Sequence, residues 1–176
     1  YDLTLHAFDL ADLYRTPVMV LADAVIGQMK EPLVPNPRAA TPLPPKDWIV
    51  RGKGADAPQR VVKSLYLGDG ELEAHNLKLH AKYGVMEEKE TRCEEFMAED
   101  AELLVTAFGS AARIAKTSIM MAREEGLKVG LLRPITLFPF PNTTFRAYAE
   151  RCRKFLDIEL NTGQMRDDVR LAINCS

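Results

Sequence analysis

The sequence predicts an α/β protein: a parallel sheet with flanking helices. Three observations carry this. Strand-like and helix-like segments alternate from residue 102 to residue 173. The helical stretches between strands are long enough for crossover connections, which parallel pairing requires. A glycine turn, Gly109, joins the first of these strands to its helix.

In chain order, residues 2–15 read as a helix, with Leu3, Ala7, Leu10 and Tyr14 at helical spacing, Asp2 placed to cap it and Pro17 ending it. Pro17-Val-Met-Val-Leu-Ala22 reads as a buried strand. Asp23 sits just past it, before a short segment ending near Met29. Residues 1–30 thus look like the tail of an α/β domain.

Residues 31–60 are different material. Pro32, Pro35, Pro37, Pro42, Pro44 and Pro45 fall here. Each lacks an amide donor and has a fixed φ, so the stretch is an extended connector. It carries Trp48 and Ile49, which predicts a connector strapped onto a surface. Residues 70–98 read as a long polar helix. Leu72, Leu79, Met86 and Cys93 fall seven apart, with Tyr83 and Met97 on an adjoining line and Gly84 as a possible bend. Glu87, Glu88, Glu90, Glu94 and Glu95 form a solvated acidic end. Residues 31–100 are therefore assigned to linker and connecting helix, and 101–176 to a further domain.

In that domain, Leu103–Phe108 is a strand, and Ser110 is placed as the N-cap of a helix with Ala111, Ile114, Ala115, Ser118, Ile119 and Ala122 on one face. Gly126 stops this helix. Val129–Leu132 is the second strand, Asn142 caps a helix to about Cys152, Phe155–Leu160 is the third strand, and Gln164–Ile173 is a helix. Three strands are few for an open sheet, which leaves room for strands beyond residue 176. Both ends of the sequence read as cut rather than natural.

Composition excludes several classes of function. Hydrophobic residues make up 47% and charged ones 27%, and the net charge is -2. That is a globular balance with no pull toward nucleic acid or acidic lipid. No apolar run approaches the ~20 residues of a membrane span. Residues 1–15 carry Asp2, Asp9 and Asp12 and are not a secretory leader. Cys93, Cys152 and Cys175 are dispersed, with no CxxC. They read as free cytosolic thiols, not zinc or cluster ligands.

Three places invite chemistry. Phe108-Gly-Ser-Ala, with Gly109 and Ser110, is a turn at a helix N-terminus that could hold an anion on its amides. The plain reading is a βα turn, since one glycine is no dinucleotide fingerprint. Arg133-Pro-Ile-Thr-Leu-Phe-Pro-Phe-Pro141 follows a strand. Three prolines (Pro134 the first) stiffen it, and Leu137, Phe138 and Phe140 make it apolar, which fits a protein interface or domain packing. Glu159-Leu-Asn-Thr-Gly-Gln164 also follows a strand. Glu159 is a candidate base or metal ligand; the plain reading has Glu159 and Asn161 meeting loop amides, with Gly163 taking the turn before Gln164. His6, His75 and His80 share no metal-ligand spacing and read as surface or packing residues.

Several motifs, in order, resemble the alpha subunit of 2-oxoacid:ferredoxin oxidoreductases of the 2-oxoisovalerate type. Residues 9–29 look like the end of the pyrimidine-side thiamine-diphosphate domain. Ser64-Leu-Tyr-Leu and Leu72-Glu-Ala-His-Asn-Leu resemble the branched-chain connector. Ala107-Phe-Gly-Ser, Glu124-Glu-Gly-Leu-Lys-Val, the Arg133–Pro141 stretch and Gly163-Gln-Met resemble the second domain, which is similar to the transketolase C-terminal domain. The resemblance covers nearly the whole chain. It implies a cytoplasmic assembly that decarboxylates a 2-oxoacid on thiamine diphosphate and magnesium, passes electrons through iron–sulfur clusters to ferredoxin, and releases an acyl-CoA. It implies beta, gamma and ferredoxin-like subunits as partners. The parts that hold these cofactors do not match any segment of this sequence. The expectation is therefore a structural, subunit-facing piece with no catalytic, cofactor or metal residue of its own, inactive when isolated. The alternative is an autonomous α/β module binding a nucleotide or anion at the Gly109 turn.

Overall fold

A computed structural model describes residues 1–35, 41–50, 52, 54 and 59–174. Pro37 in the connector and the thiol of Cys175 lie outside the described residues. The chain divides into two compact units. One comprises residues 1–21 and 30–82, and the other residues 22–29 and those from 83 onward.

In the first unit, helix α1 spans Asp2–Tyr14. Its N-cap is Tyr1, not Asp2. Asp2 lies in the first turn instead, where its negative charge is favoured by the positive end of the helix dipole. The helix ends at Arg15 in the left-handed conformation, φ 47°. The connector folds back along this helix: Thr41 Oγ1 donates to Asp9 (2.6 Å), Lys46 pairs with Asp12, and the Arg15 guanidinium lies 4.9 Å over the Trp48 ring. Trp48 is strapped down, as its composition predicted.

Pro17–Ala22 is not a strand. It has no regular secondary structure, and Met19 and Leu21 are largely exposed. An extended segment becomes a strand only by pairing its amides and carbonyls with a neighbour. No strand lies alongside this one among the described residues. Within the second unit the next helix, α2, is Ala24–Gln28.

Helix α3 runs Glu71–Glu90, shorter than the periodicity implied. Its half-buried line is His75, Leu79, Lys82, Met86 and Glu90, while Leu72 is exposed. Cys93 and Met97 leave the helix altogether. Cys93–Phe96 is strand β1, and Met97 adopts a positive φ of 49° just beyond it. Tertiary pairing overrides a seven-residue pattern that a continuing helix would also satisfy.

The sheet order is β1-β3-β2-β4, with β2 Leu103–Ala107, β3 Val129–Pro134 and β4 Phe155–Ile158. β2 pairs in parallel with both β3 and β4, as predicted. β1 adds an unforeseen antiparallel edge on β3, with Cys93 opposite Pro134 and Phe96 opposite Leu131.

Side chains alternate across the sheet and build two cores. On one face Val105, Ala107 and Leu131 meet helix α4, Gly109–Glu124, through Ala111, Ala112, Ala115 and Ile119. Alanines let the helix lie close. Ile114 and Ser118, expected on that face, point away and are exposed. On the other face Leu104, Leu132 and Phe155 meet α5, Asn142–Ala149, and α6, Gln164–Asn174, through Phe145, Tyr148, Met165, Val169 and Ala172. Asn142 is the first helical residue of α5, not its cap; Pro141 holds the cap position. Gly126, φ 85°, closes α4 as predicted: its N–H donates to Arg123 O and that of Leu127 to Ala122 O, both at 3.0 Å.

Gly130, in β3, leaves no room for a side chain. A β-carbon there would lie 2.5 Å from the Met97 carbonyl oxygen and 2.7 Å from Ala98 Cα. Both are backbone atoms and cannot rotate aside. Gly130→Ala is therefore expected to destabilise the domain by ~1–3 kcal/mol through overpacking, with the urea midpoint lowered and the slope unchanged. A midpoint equal to wild type would show that the β1 turn yields freely.

Candidate functional site at the carboxyl ends of the strands

β2 leads into α4 on one face of the sheet, and its neighbour β4 leads into α6 on the other. The crevice between two such strand ends is where open α/β sheets take ligands. Here it is bordered by Phe108-Gly109-Ser110 and by Glu159–Gln164.

At the Gly109 turn the Ser110 amide is met by the chain's own Asp23. Asp23 Oδ2 accepts from the Ser110 amide at 3.1 Å, and Oδ1 accepts from the Ile26 amide at 2.8 Å. The Ser110 hydroxyl, then the Ile26 amide, hold its carboxyl below the usual carboxylate range. Gly109 has φ 59°, and a β-carbon on it would sit 3.3 Å from Asp23 Oδ2. Ser110 is not the N-cap: Phe108 occupies that position, with no side-chain cap of its own. Asp23 supplies from a distance what a local serine was expected to give.

At the end of β4, Glu159 caps α6: its carboxylate accepts from the amides of Met165 (3.1 Å) and Arg166 (3.3 Å). The plain reading of Glu159 as an acceptor for amides stands, although the amides belong to the helix rather than the loop. The loop amide of Thr162 is met by Gln164 Oε1 (3.1 Å), and Asn161 is exposed. Gly163, φ 105°, takes the turn.

Sequence reasoning missed Asp157. It faces inward beside Glu159, and the fully buried Thr106 hydroxyl donates to it at 2.6 Å. Burial, and then the neighbouring Glu159, push its carboxyl up to about 6. Asp168 is also raised, by burial and then by Asp167 and Glu159.

The Arg133–Pro141 loop divides its side chains. Arg133 donates to Glu94 (2.8 Å), which Lys116 also grips. Pro134 and Pro139 are buried, and the Phe138–Pro139 peptide is cis. Phe140 packs on Phe145 (5.0 Å), while Phe138 is 66% exposed, with the Tyr83 ring at 6.0 Å.

At the opposite end of the sheet lies a cavity of about 450 Å³ lined by Glu95, Met97, Ala98, Glu99, Asp100, Arg123 and Tyr148. Arg123 is committed there to Asp100, Met97 O and Val129 O. Tyr148 donates to Glu95; burial and that carboxylate push its phenol up to about 12. Three carboxylates around the opening make it a poor seat for a diphosphate.

Among the described residues no three His, Cys, Asp or Glu side chains gather so as to hold a metal ion. Cys152 is buried in the core, and Cys93 lies in β1. Burial, then Glu95 and Glu94, push the Cys93 thiol up to about 12, away from the thiolate a cluster needs. His75 stacks on Tyr66 at 4.5 Å, a packing role. No helix among the described residues is long and apolar enough to cross a membrane.

Residues 101–176 match the family of pyruvate:ferredoxin oxidoreductase core domain II. The chain is homologous to the ketoisovalerate oxidoreductase subunit VorB of Methanothermobacter marburgensis, with 48% identity over 174 residues, 99% of this chain and 49% of that protein. The 2-oxoglutarate synthase subunit KorA of Methanothermobacter thermautotrophicus is 32% identical, over 94% of this chain and 50% of that protein. The chain spans about half the length of the curated relatives it matches. A solved 2-oxoglutarate:ferredoxin oxidoreductase from Magnetococcus marinus, with 2-oxoglutarate, coenzyme A and succinyl-CoA bound, shares the fold. Its TM-score is 0.55 at 23% identity, covering 61% of this chain and 19% of that one.

The raised Asp157 carboxyl sets a pH dependence. An acid whose folded value lies above its ordinary 3.8 holds its proton more tightly when folded. That contribution is complete below about 3.8 and is lost as the pH rises through about 6. Asp157→Asn keeps a neutral acceptor for Thr106 and removes the ionisation cost. Its melting temperature is expected to exceed wild type by ~2–4 °C at pH 8, a gain of ~1 kcal/mol after solvent screening, and to converge with it at pH 4. A difference independent of pH would refute the assignment.

Proposed function

We propose that this chain is part of the alpha subunit of a 2-oxoisovalerate:ferredoxin oxidoreductase, serving there as scaffold and subunit-facing wall rather than as the catalytic centre. The 48% identity to a ketoisovalerate oxidoreductase subunit, against 32% to a 2-oxoglutarate synthase subunit, carries the choice of substrate class. In the proposed reaction the 2-oxoacid loses its carboxylate as CO₂. The acyl carbon gives up two electrons to ferredoxin, and the coenzyme A thiol takes the acyl group as its proton departs. Thiamine diphosphate, magnesium and iron–sulfur clusters would supply that chemistry in the cytoplasmic assembly, held by other parts of it.

The residues present do not fit those groups. Cys93 and Cys152 sit in separate elements, one of them in the core, and cannot form a four-thiolate set. At the strand ends the Ser110 amide is taken by Asp23, and the Met165 and Arg166 amides by Glu159. That filling also weighs against an autonomous anion-binding module at Gly109, because an incoming anion would have to displace a carboxylate already in place.

The partners in this reading are the beta, gamma and ferredoxin-like subunits. Phe138, exposed on a proline-stiffened loop, is the group best suited to meet one of them. Phe138→Glu in the full-length subunit is expected to weaken co-purification with the beta subunit by roughly tenfold or more, since an interface buries the new charge without a partner. The melting temperature of this chain should stay nearly unchanged. A complex that co-purifies as before would remove the loop from the interface. Calorimetric titration of the chain with thiamine diphosphate and magnesium is expected to give no saturable heat; a micromolar site would overturn the non-catalytic role.

A further inference from the structure

The Asp23 carboxylate joins two helices that are far apart in sequence. One oxygen closes the first turn of α2 on the Ile26 amide (2.8 Å); the other takes the Ser110 amide at the start of α4 (3.1 Å). A carboxylate is the only acidic side-chain end with two acceptor oxygens in a fixed plane, so it serves both ends at once. Room for it exists because position 109 is glycine. Gly109 adopts φ 59°, and a β-carbon there would press on Asp23 Oδ2 at 3.3 Å. A second, weaker contact lies at the other end of α2, where Arg113 Nη1 on α4 approaches Met29 Sδ at 3.9 Å.

The chain on either side of α2 is of another kind. Residues 17–21 before it and 30–35 after it have no regular secondary structure and are exposed. Residues 22–29 group with the second unit, whereas residues 1–21 and 30–82 form the first. The sequence assigned residues 1–30 to a single tail.

We propose that Asp23 is a positioning residue that clips Ala22–Met29 onto the second domain at the carboxyl end of β2, so that this segment folds and opens with that domain and not with residues 1–21. The clip is independent of the proposed activity, because it uses only groups of this chain. Losing one acceptor oxygen should undo it. In Asp23→Asn the amide oxygen can still cap α2, but the NH₂ group then faces the Ser110 N–H, donor against donor. Asp23→Ser likewise retains one acceptor, enough for α2 and too short for α4.

Hydrogen exchange on the whole chain tests this. In wild type the amides of residues 26–29 and Ser110 should be protected together. In both variants their exchange should rise by roughly tenfold or more, while the amides joining β2 to β3 and β4 stay at wild-type rates. Unchanged protection at Ser110 in Asp23→Ser would reduce Asp23 to a local cap and overturn the clip. So would a rise in step across the β2–β3 amides, which would mean that Asp23 supports the whole domain rather than one segment.

Discussion

Strand β2 is hydrogen-bonded along both edges and covered on both faces, and the remaining elements take their places from that enclosure. Leu104, Thr106 and Ala107 have no exposed surface. Two parallel neighbours require two crossovers, and covering both faces requires that helices lie on each side. α4 on one side and the α5–α6 pair on the other meet those requirements. The enclosure also dictates a polar detail. Thr106 brings a hydroxyl into the core, and an unpaired hydroxyl there costs about 1–3 kcal/mol. Asp157 on β4 accepts from it and is drawn inward, which raises its own proton affinity.

The two edges of the sheet are treated differently. β1 is antiparallel and carries Glu94, gripped by Lys116 and Arg133, and Glu95, which takes the Tyr148 hydroxyl. Charge on an edge strand discourages further pairing. β4 leaves Leu156 and Ile158 partly exposed on the α4 side, where that helix covers β2 and β3 instead.

The parallel core was legible in the sequence because it is local. Strand and helix alternate within short windows, glycines mark the turns, and apolar periodicity locates each element. Pairing was not legible. Pro17–Ala22 has the composition of a strand, but composition supplies no neighbour. Cys93–Phe96 has the spacing of a helix, but β3 offers its edge. Face was ambiguous too. In Phe155-Leu-Asp-Ile-Glu-Leu160 the aliphatic residues alternate with Phe155, Asp157 and Glu159. Hydrophobicity alone puts the leucines inside, whereas the structure puts Phe155 and Asp157 there, because only that face meets both Phe145 and Thr106. Asp23 was singled out for its place after a strand-like run; its partner at Ser110, 87 residues away, leaves no local trace.

Two helices, α4 and α6, start just beyond the carboxyl ends of β2 and β4. Each of those termini meets a carboxylate of the chain itself. Asp23 serves α4, and Glu159 serves α6. A helix start that binds a substrate leaves its amides to solvent until the substrate arrives, and so sacrifices stability for function. A helix start capped by the chain's own carboxylate does the reverse: the bonded amides stabilise the fold and are not left to solvent. At these two strand ends, carboxylates of the chain take amides that the same topology can leave open to a ligand, and the bonds hold segments together.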